Sequence, residues 1–331
     1  MGLNILITGA TGFIGAVLVD YLKNRNDNVS VLLRPESDPV KAASLRVNVR
    51  KGRYDDPASL REAVQGMDIV VHLAGVTKSI NEKGFYDGNV LPVKALLEAV
   101  KEENPGLRRF LLVSTLAAAG PADNPEPGIR EEDVPKPVSA YGKSKLEAEK
   151  VCRSYKDVLP VTIIRPPAVY GPGDKDVLQF LIMLKKGVVL AAGDICVQRL
   201  SLVHVNDLVR GIVMAAESPA GAGETYFITS QQGYSWDELS LAAAKELEIK
   251  TFRKISLPKP LMKFFGYMAN SISTITGRPG FLNSDKVNEM VQDYWVCSPE
   301  KAESRLGFTA SVSLEEGMRS TIAWYKEQGW M

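Results

Sequence analysis

Short aliphatic and β-branched runs alternate with amphipathic segments through the first half of the chain. Asn4–Thr8, Val29–Leu33, Val47–Lys51, Ile69–Leu73, Phe110–Ser114 and Val161–Arg165 are short runs rich in β-branched and aliphatic residues, which read as buried strands. Phe13–Asn24 and Tyr86–Glu103 carry their apolar residues at helical spacing. Such alternation predicts a parallel sheet with helices on both faces. Gly120–Pro137, rich in proline and charge, predicts a loop near the ligand-binding edge, and a helical pattern follows from Ser139 to Tyr155. After Gly171 helical segments dominate (Asp176–Lys186, Asn206–Glu217, Trp236–Glu246, Pro260–Ile275, Leu314–Gln328), with short strand-like pieces between them. The expected architecture is α/β. A Rossmann-type doubly wound parallel sheet over residues 1–171 is followed by a smaller, mainly helical substrate lobe over 172–331, partly interleaved with the sheet.

Composition narrows the class. Forty Lys and Arg against 39 Asp and Glu give 331 residues a formal charge of +1, so the totals offer no field for nucleic acid or an anionic membrane. Three widely spaced cysteines, Cys152, Cys196 and Cys297, form no C-x-x-C pattern and there are two histidines, so no disulfide framework or metal site is expected. No signal peptide is read at the start, and no apolar run reaches about 18 residues, so stable membrane insertion is not expected and a reducing cytoplasm fits. Leu257–Leu282 is apolar and aromatic, with Phe264, Phe265, Tyr267 and Met268 closely spaced. A core helix, a lid and a membrane-surface contact all remain open for it. Pro258, Pro260 and Gly266 argue against a rigid interfacial helix.

The first chemistry-bearing motif is Thr8-Gly9-Ala10-Thr11-Gly12-Phe13-Ile14-Gly15, directly after an apolar strand and opening a helix. Gly9 permits a tight turn, Gly12 lets the backbone approach a pyrophosphate, and Gly15 allows close helix–strand packing. The helix N-terminus then offers unpaired N–H groups to the phosphates. The predicted ligand is a nicotinamide dinucleotide. The second strand ends in Arg34 rather than in the carboxylate that holds an NAD ribose, and Lys41 lies downstream. A guanidinium can bind a 2′-phosphate that a carboxylate would repel, so NADP(H) is favoured and NAD(H) is the alternative.

Tyr141 and Lys145 stand at i and i+4 of a predicted helix, on one face. An adjacent ammonium is expected to favour the phenolate and bring the tyrosine into the range of a general acid/base. Ser114 and Thr115 end the fifth strand at the carboxyl edge of the sheet, where either hydroxyl can meet a substrate oxygen. His72, in a buried strand, and His204, before a helix, are expected to be structural.

Taken together these motifs resemble an extended short-chain dehydrogenase/reductase of the NAD-dependent epimerase/dehydratase superfamily. Further matches are His72-Leu73-Ala74-Gly75, Asn89 opening a helix, Arg165-Pro166-Pro167-Ala168-Val169-Tyr170-Gly171, and Val203-His204-Val205-Asn206-Asp207. The resemblance implies Tyr141 as catalytic acid/base, Lys145 as its partner, and Thr115, five residues before Gly120, as the active-site hydroxyl with Ser114 beside it. It implies cofactor contacts at Gly9, Thr11, Gly12, Phe13, Ile14, Gly15, Leu73, Ala74, Gly75, Pro166 and Val169, and a 2′-phosphate pair at Arg34 and Lys41. Arg53, followed by Tyr54, stands where relatives place an aspartate toward adenine, so both are candidate cofactor contacts, and Ala168 stands where nucleotide-sugar enzymes carry Asn. That second departure points toward the dihydroflavonol reductase and 3-beta-hydroxysteroid dehydrogenase-like branch, hence toward a ketone–alcohol interconversion on an apolar small molecule. A nucleotide-sugar epimerase or dehydratase with tightly held cofactor, and a non-catalytic dinucleotide-binding sensor or assembly protein, are the alternatives. A homodimer is expected from the resemblance alone.

Overall fold

A computed structural model describes residues 2–276 and 284–331. The chain runs β1 (Asn4–Thr8), α1 (Phe13–Asn24), β2 (Asn28–Leu33), α2 (Pro39–Ser44), β3 (Asn48–Lys51), α3 (Pro57–Val64), β4 (Ile69–His72), α4 (Glu82–Asn89), α5 (Leu91–Glu103), β5 (Arg109–Val113), α6 (Leu116–Ala119), α7 (Ala140–Arg153) and β6 (Val161–Arg165). It continues β7 (Ala168–Tyr170), α8 (Asp176–Lys185), β8 (Val188–Ala192), β9 (Arg199–His204), α9 (Val205–Glu217), β10 (Thr225–Phe227), β11 (Gly233–Ser235) and α10 (Trp236–Glu246). The last elements are β12 (Arg253–Leu257), α11 (Lys259–Thr276), α12 (Ser284–Met290), β13 (Tyr294–Trp295), α13 (Glu300–Leu306) and α14 (Leu314–Glu327).

Seven strands form a parallel sheet in the order β10-β6-β5-β4-β1-β2-β3. Successive side chains leave a strand on opposite faces, and both faces are covered here. Ile5, Ile7, Val31 and Val71 pack on one side with Leu18 of α1 and Leu208 and Ile212 of α9. Leu6, Val70 and Phe110 pack on the other with Leu60 of α3, Leu96 of α5 and Ala148 of α7. The inner strands are apolar because neither face meets water, whereas β3, expected as a buried strand, is the sheet's edge and is largely exposed, with Val49 at 44%. β10 and α9, both beyond residue 171, belong to this sheet and its cover. Arg109 helps fix α9, donating from Nε to the Ala216 carbonyl at 3.1 Å and from Nη2 to that of Ser218 at 2.8 Å.

The remaining strands form a four-stranded sheet, in which β9 pairs with β7, β11 and β13, and the parallel pair β8–β12. The Tyr86–Glu103 segment is two helices rather than one, because α5 begins afresh at Leu91 with Pro92 in its first turn. Asn89 consequently ends α4 instead of opening a helix. It is buried, with Nδ2 donating to Ser144 Oγ at 2.9 Å and Oδ1 accepting from the Val76 N–H at 2.8 Å.

Both histidines are structural. His204 caps α9, its Nδ1 accepting from the Asn206 N–H at 3.3 Å. His72 Nδ1 shares a 2.7 Å hydrogen bond with Thr8 Oγ1, joining β4 to β1. Burial lowers the His72 imidazolium to about 3. A histidine held below its unfolded value takes up a proton on unfolding throughout the interval between the two. Stability is therefore expected to fall as pH drops from about 6.5 toward 3, by up to about 1.4 kcal/mol per pH unit from this group. Urea unfolding of wild type and His72→Gln across that interval checks it. The variant should show the shallower acid limb, and parallel limbs would remove His72 from the account.

Candidate active site

The turn after β1 is built for close approach. Gly9 has φ +73°, and a Cβ there would lie 2.7 Å from the Ala74 nitrogen at the end of β4. A Cβ on Gly15 would lie 2.3 Å from the Gly9 carbonyl oxygen, so α1 can press on the turn only through a glycine. Gly12 caps α1 in an extended conformation, with no side chain bonded to the first-turn amides and no acidic residue in that turn. Thr11 and Gly12 are exposed beside half-buried Phe13 and Ile14. This glycine cradle and open helix N-terminus fit a dinucleotide pyrophosphate. Leu73, Ala74 and exposed Gly75 leave β4 at the same edge, and the Ala74 N–H is held by Thr8 Oγ1 at 3.2 Å.

At the far end of the cradle, Arg34 is exposed after β2, and its charge reaches the half-buried Tyr54. Burial raises the Tyr54 phenol, while Thr8 and Arg34 pull it the other way. Tyr54 meets the His72 ring edge-on, centroids 6.0 Å apart. Arg53 is engaged by two carboxylates, those of Glu36 and Asp55, the latter at 3.0 Å. Glu36, two residues past Arg34, is a carboxylate at this edge that the sequence reading passed over. The Lys41 side chain, on α2, lies outside the described residues.

Tyr141 and Lys145 occupy the first turns of α7, whose N-cap Ser139 accepts from the Gly142 N–H at 3.0 Å. Tyr141 is half-buried beside the Phe85 ring, centroids 6.1 Å apart, and its hydroxyl bonds to Thr115. Thr115 caps α6 with a bond from the Ala117 N–H at 3.2 Å. Lys145 is buried, and its Nζ donates to the Val113 carbonyl at 2.8 Å. Burial lowers its ammonium to about 8, with the Glu149 carboxylate opposing that fall. The expected depression of the phenol by Lys145 is not what this arrangement gives. Burial and the charge of Glu289 push Tyr141 upward, relieved only in part by Thr115.

Ser114 takes a different place from Thr115. Its Oγ donates to Glu149 Oε1 at 2.6 Å, and both residues are buried. The same carboxylate accepts from Arg165 Nε at 2.9 Å and Nη2 at 2.7 Å, and from Arg153 Nη2 at 3.0 Å. Ser114 is therefore a structural donor, because adjacent residues at a strand end face opposite ways. Pro166 is buried, its carbonyl accepting from the Leu116 N–H at 2.8 Å, and Val169 is half-buried on β7.

Two carboxylates from the second half of the chain complete the site. Asp285 of α12 accepts from the backbone N–H of Ala140 at 3.0 Å and of Tyr141 at 3.3 Å, capping the helix that carries the tyrosine. Glu289, one turn on, accepts from Ser139 Oγ at 2.7 Å, and burial raises its own carboxyl. Neither residue stands in a local motif.

Residues 5–229 match the NAD dependent epimerase/dehydratase family. The chain belongs to this family. A ceramide reductase of Caulobacter vibrioides (strain NA1000 / CB15N) is 30% identical over 329 residues, 99% of this chain and 96% of the relative. A UDP-glucose 4-epimerase of Vibrio cholerae is 28% identical over 337 residues, covering 96% and 94%. The crystal structure of a UDP-glucuronic acid 4-epimerase from Bacillus cereus with UDP-glucuronic acid and NAD superposes with a TM-score of 0.75 at 26% identity, covering 98% and 99%.

The chain is thus an enzyme of an NAD-dependent epimerase/dehydratase type, and the non-catalytic alternative falls. Within that family frame, Thr115, Tyr141 and Lys145 converge at the carboxyl edge of β5 beside the glycine cradle. Burial is the larger cause of the raised phenol, and the Glu289 charge adds to it. Its replacement in Glu289→Gln removes a like charge from Tyr141, so the ionisation limb of the pH–rate profile is expected to move to lower pH. An unmoved limb, measured as kcat against pH, would show that the carboxylate does not act on the phenol.

Proposed function

We propose that this enzyme is an NADP(H)-dependent oxidoreductase interconverting a ketone and a secondary alcohol on a mainly apolar small molecule. Ala168 carries the reading. It is exposed at the start of β7, beside Val169, and presents a methyl where nucleotide-sugar enzymes carry an amide. A diphosphate-bearing sugar loses a polar partner there, whereas an alkyl substrate loses nothing. The Phe85 ring against Tyr141 adds apolar surface, and the ceramide reductase relative is named for a lipid substrate. In this reading the lobe beyond residue 171 covers the substrate.

Bound cofactor supplies or accepts the hydride. In the reducing direction Tyr141 gives its proton to the carbonyl oxygen as charge builds there, and Thr115 orients that oxygen. Lys145, charged at neutral pH with its ammonium at about 8, stabilises the phenolate left behind. On the adenosine side Arg34 binds the 2′-phosphate, while Arg53 neutralises Glu36, the carboxylate that would oppose it.

Nucleotide-sugar 4-epimerisation is the second reading, favoured by the UDP-glucose 4-epimerase relative. Assays with apolar ketones plus NADPH, and with UDP-glucose plus NAD, separate the two. The proposal expects stoichiometric NADPH consumption with exchangeable cofactor. Epimerisation of UDP-glucose on retained cofactor would overturn it. Tyr141→Phe is expected to lower kcat about 100-fold or more with NADPH affinity unchanged. Normal turnover in that variant would remove Tyr141 from proton transfer. Arg34→Ala is expected to weaken NADPH binding about 10- to 100-fold and leave NADH unchanged, read by calorimetric titration. Equal loss for both dinucleotides would end the 2′-phosphate assignment.

A further inference from the structure

Helix α11 is apolar on two opposite sides. Its inner side packs on α12: Met262 is buried, and a Cβ added to Gly266 would lie 2.8 Å from Val287 Cγ2. Leu261, Phe264, Phe265 and Met268 stand at i, i+3, i+4 and i+7 on the outer side, exposed by 40%, 57%, 45% and 50%. A helix that only borders water carries polar residues on such a face. The residues that argued against a rigid interfacial helix do not interrupt this one. Pro258 precedes it, Pro260 sits in its first turn, where a missing N–H is tolerated, and Gly266 faces inward.

Charge is equally one-sided. From Ile249 to Ser284 the sequence holds six basic residues (Lys250, Arg253, Lys254, Lys259, Lys263 and Arg278) and no acidic one, within a chain whose total is +1. Lys254 is paired with Asp237, and Lys259 with Asp293 at 2.6 Å. Lys250, Arg253 and Lys263 are exposed. The near-neutral total therefore conceals a local basic and aromatic segment.

We propose that α11 docks the enzyme on an anionic lipid surface. Leu261, Phe264, Phe265 and Met268 enter the boundary between headgroups and acyl chains, and the surrounding lysines and arginines meet the lipid phosphates. The charge pattern selects this occupant over a second copy of the chain, since a two-fold pairing would bring the same basic face against itself. Position gives the docking a use. α11 packs on α12, and α12 caps the helix of Tyr141 through Asp285, so the lipid surface lies one helix away from the acid/base group. That last step rests on the proposed reaction on an apolar substrate; the docking itself does not.

Flotation of the full-length enzyme with phosphatidylcholine vesicles, and with vesicles about one third phosphatidylglycerol, tests the proposal. The enzyme is expected to float with the anionic vesicles at low salt and to be released at high salt. Lys263→Ala should weaken binding about fivefold, and the Phe264→Ser/Phe265→Ser double variant should abolish it. All three proteins should reduce a water-soluble ketone equally, which keeps docking separate from the reaction. Failure to float with anionic vesicles, or equal flotation of the double variant, overturns the docking even where ketone reduction is intact. Selective loss of soluble-ketone turnover in the double variant would make α11 a lid and overturn it too. A concentration-dependent dimer that the double variant abolishes would assign the face to a second copy.

Discussion

The Glu149 carboxylate is the tie on which the arrangement around Tyr141 and Lys145 depends. It sits on α7, is fully buried, and takes hydrogen bonds from Ser114 beyond β5, Arg165 at the end of β6 and Arg153 one turn along its own helix. Three elements are thereby fixed at one point. A buried carboxylate without such donors is costly, and removing one partner of a buried ion pair typically costs about 3–5 kcal/mol. Its charge also opposes the loss of the Lys145 proton, four residues before it on the same helix. The same group that anchors the helix therefore helps keep the lysine cationic.

What the sequence revealed, it revealed through local repetition. Strands buried on both faces read as unbroken apolar runs, and the glycine turn reads through fixed spacings between a strand and a helix. Tyr141 and Lys145 are legible because helical geometry alone puts them on one face. Ser114 and Thr115 show the limit. Both are hydroxyls at a strand end, and only the sheet decides that one joins a buried carboxylate while the other meets Tyr141. Asp285 and Glu289 leave no local trace, for they reach α7 across 145 and 150 positions of sequence. The break at Val90 has a local mark in Pro92, which the continuous helical periodicity around it hides.

The tyrosine is governed from both halves of the molecule. The sheet supplies Thr115 and the buried lysine; the later lobe supplies the carboxylate that caps its helix and the one that raises its phenol. The later part of the chain therefore sets the surroundings of Tyr141 as much as the sheet does. Any shift of α12 relative to α7 alters the electrostatic surroundings of the Tyr141 phenol.

The seventh strand carries a consequence for biosynthesis. β10, Thr225–Phe227, closes the sheet beside β6, and α9 covers the face that α1 shares. A ribosome that has released only the first 171 residues has made a sheet with β6 unpaired on one side and one apolar face half bare. The nascent chain must hold that surface until some fifty further residues emerge, by about 2.5–10 s at ordinary elongation rates. The interval is an opening for chaperones.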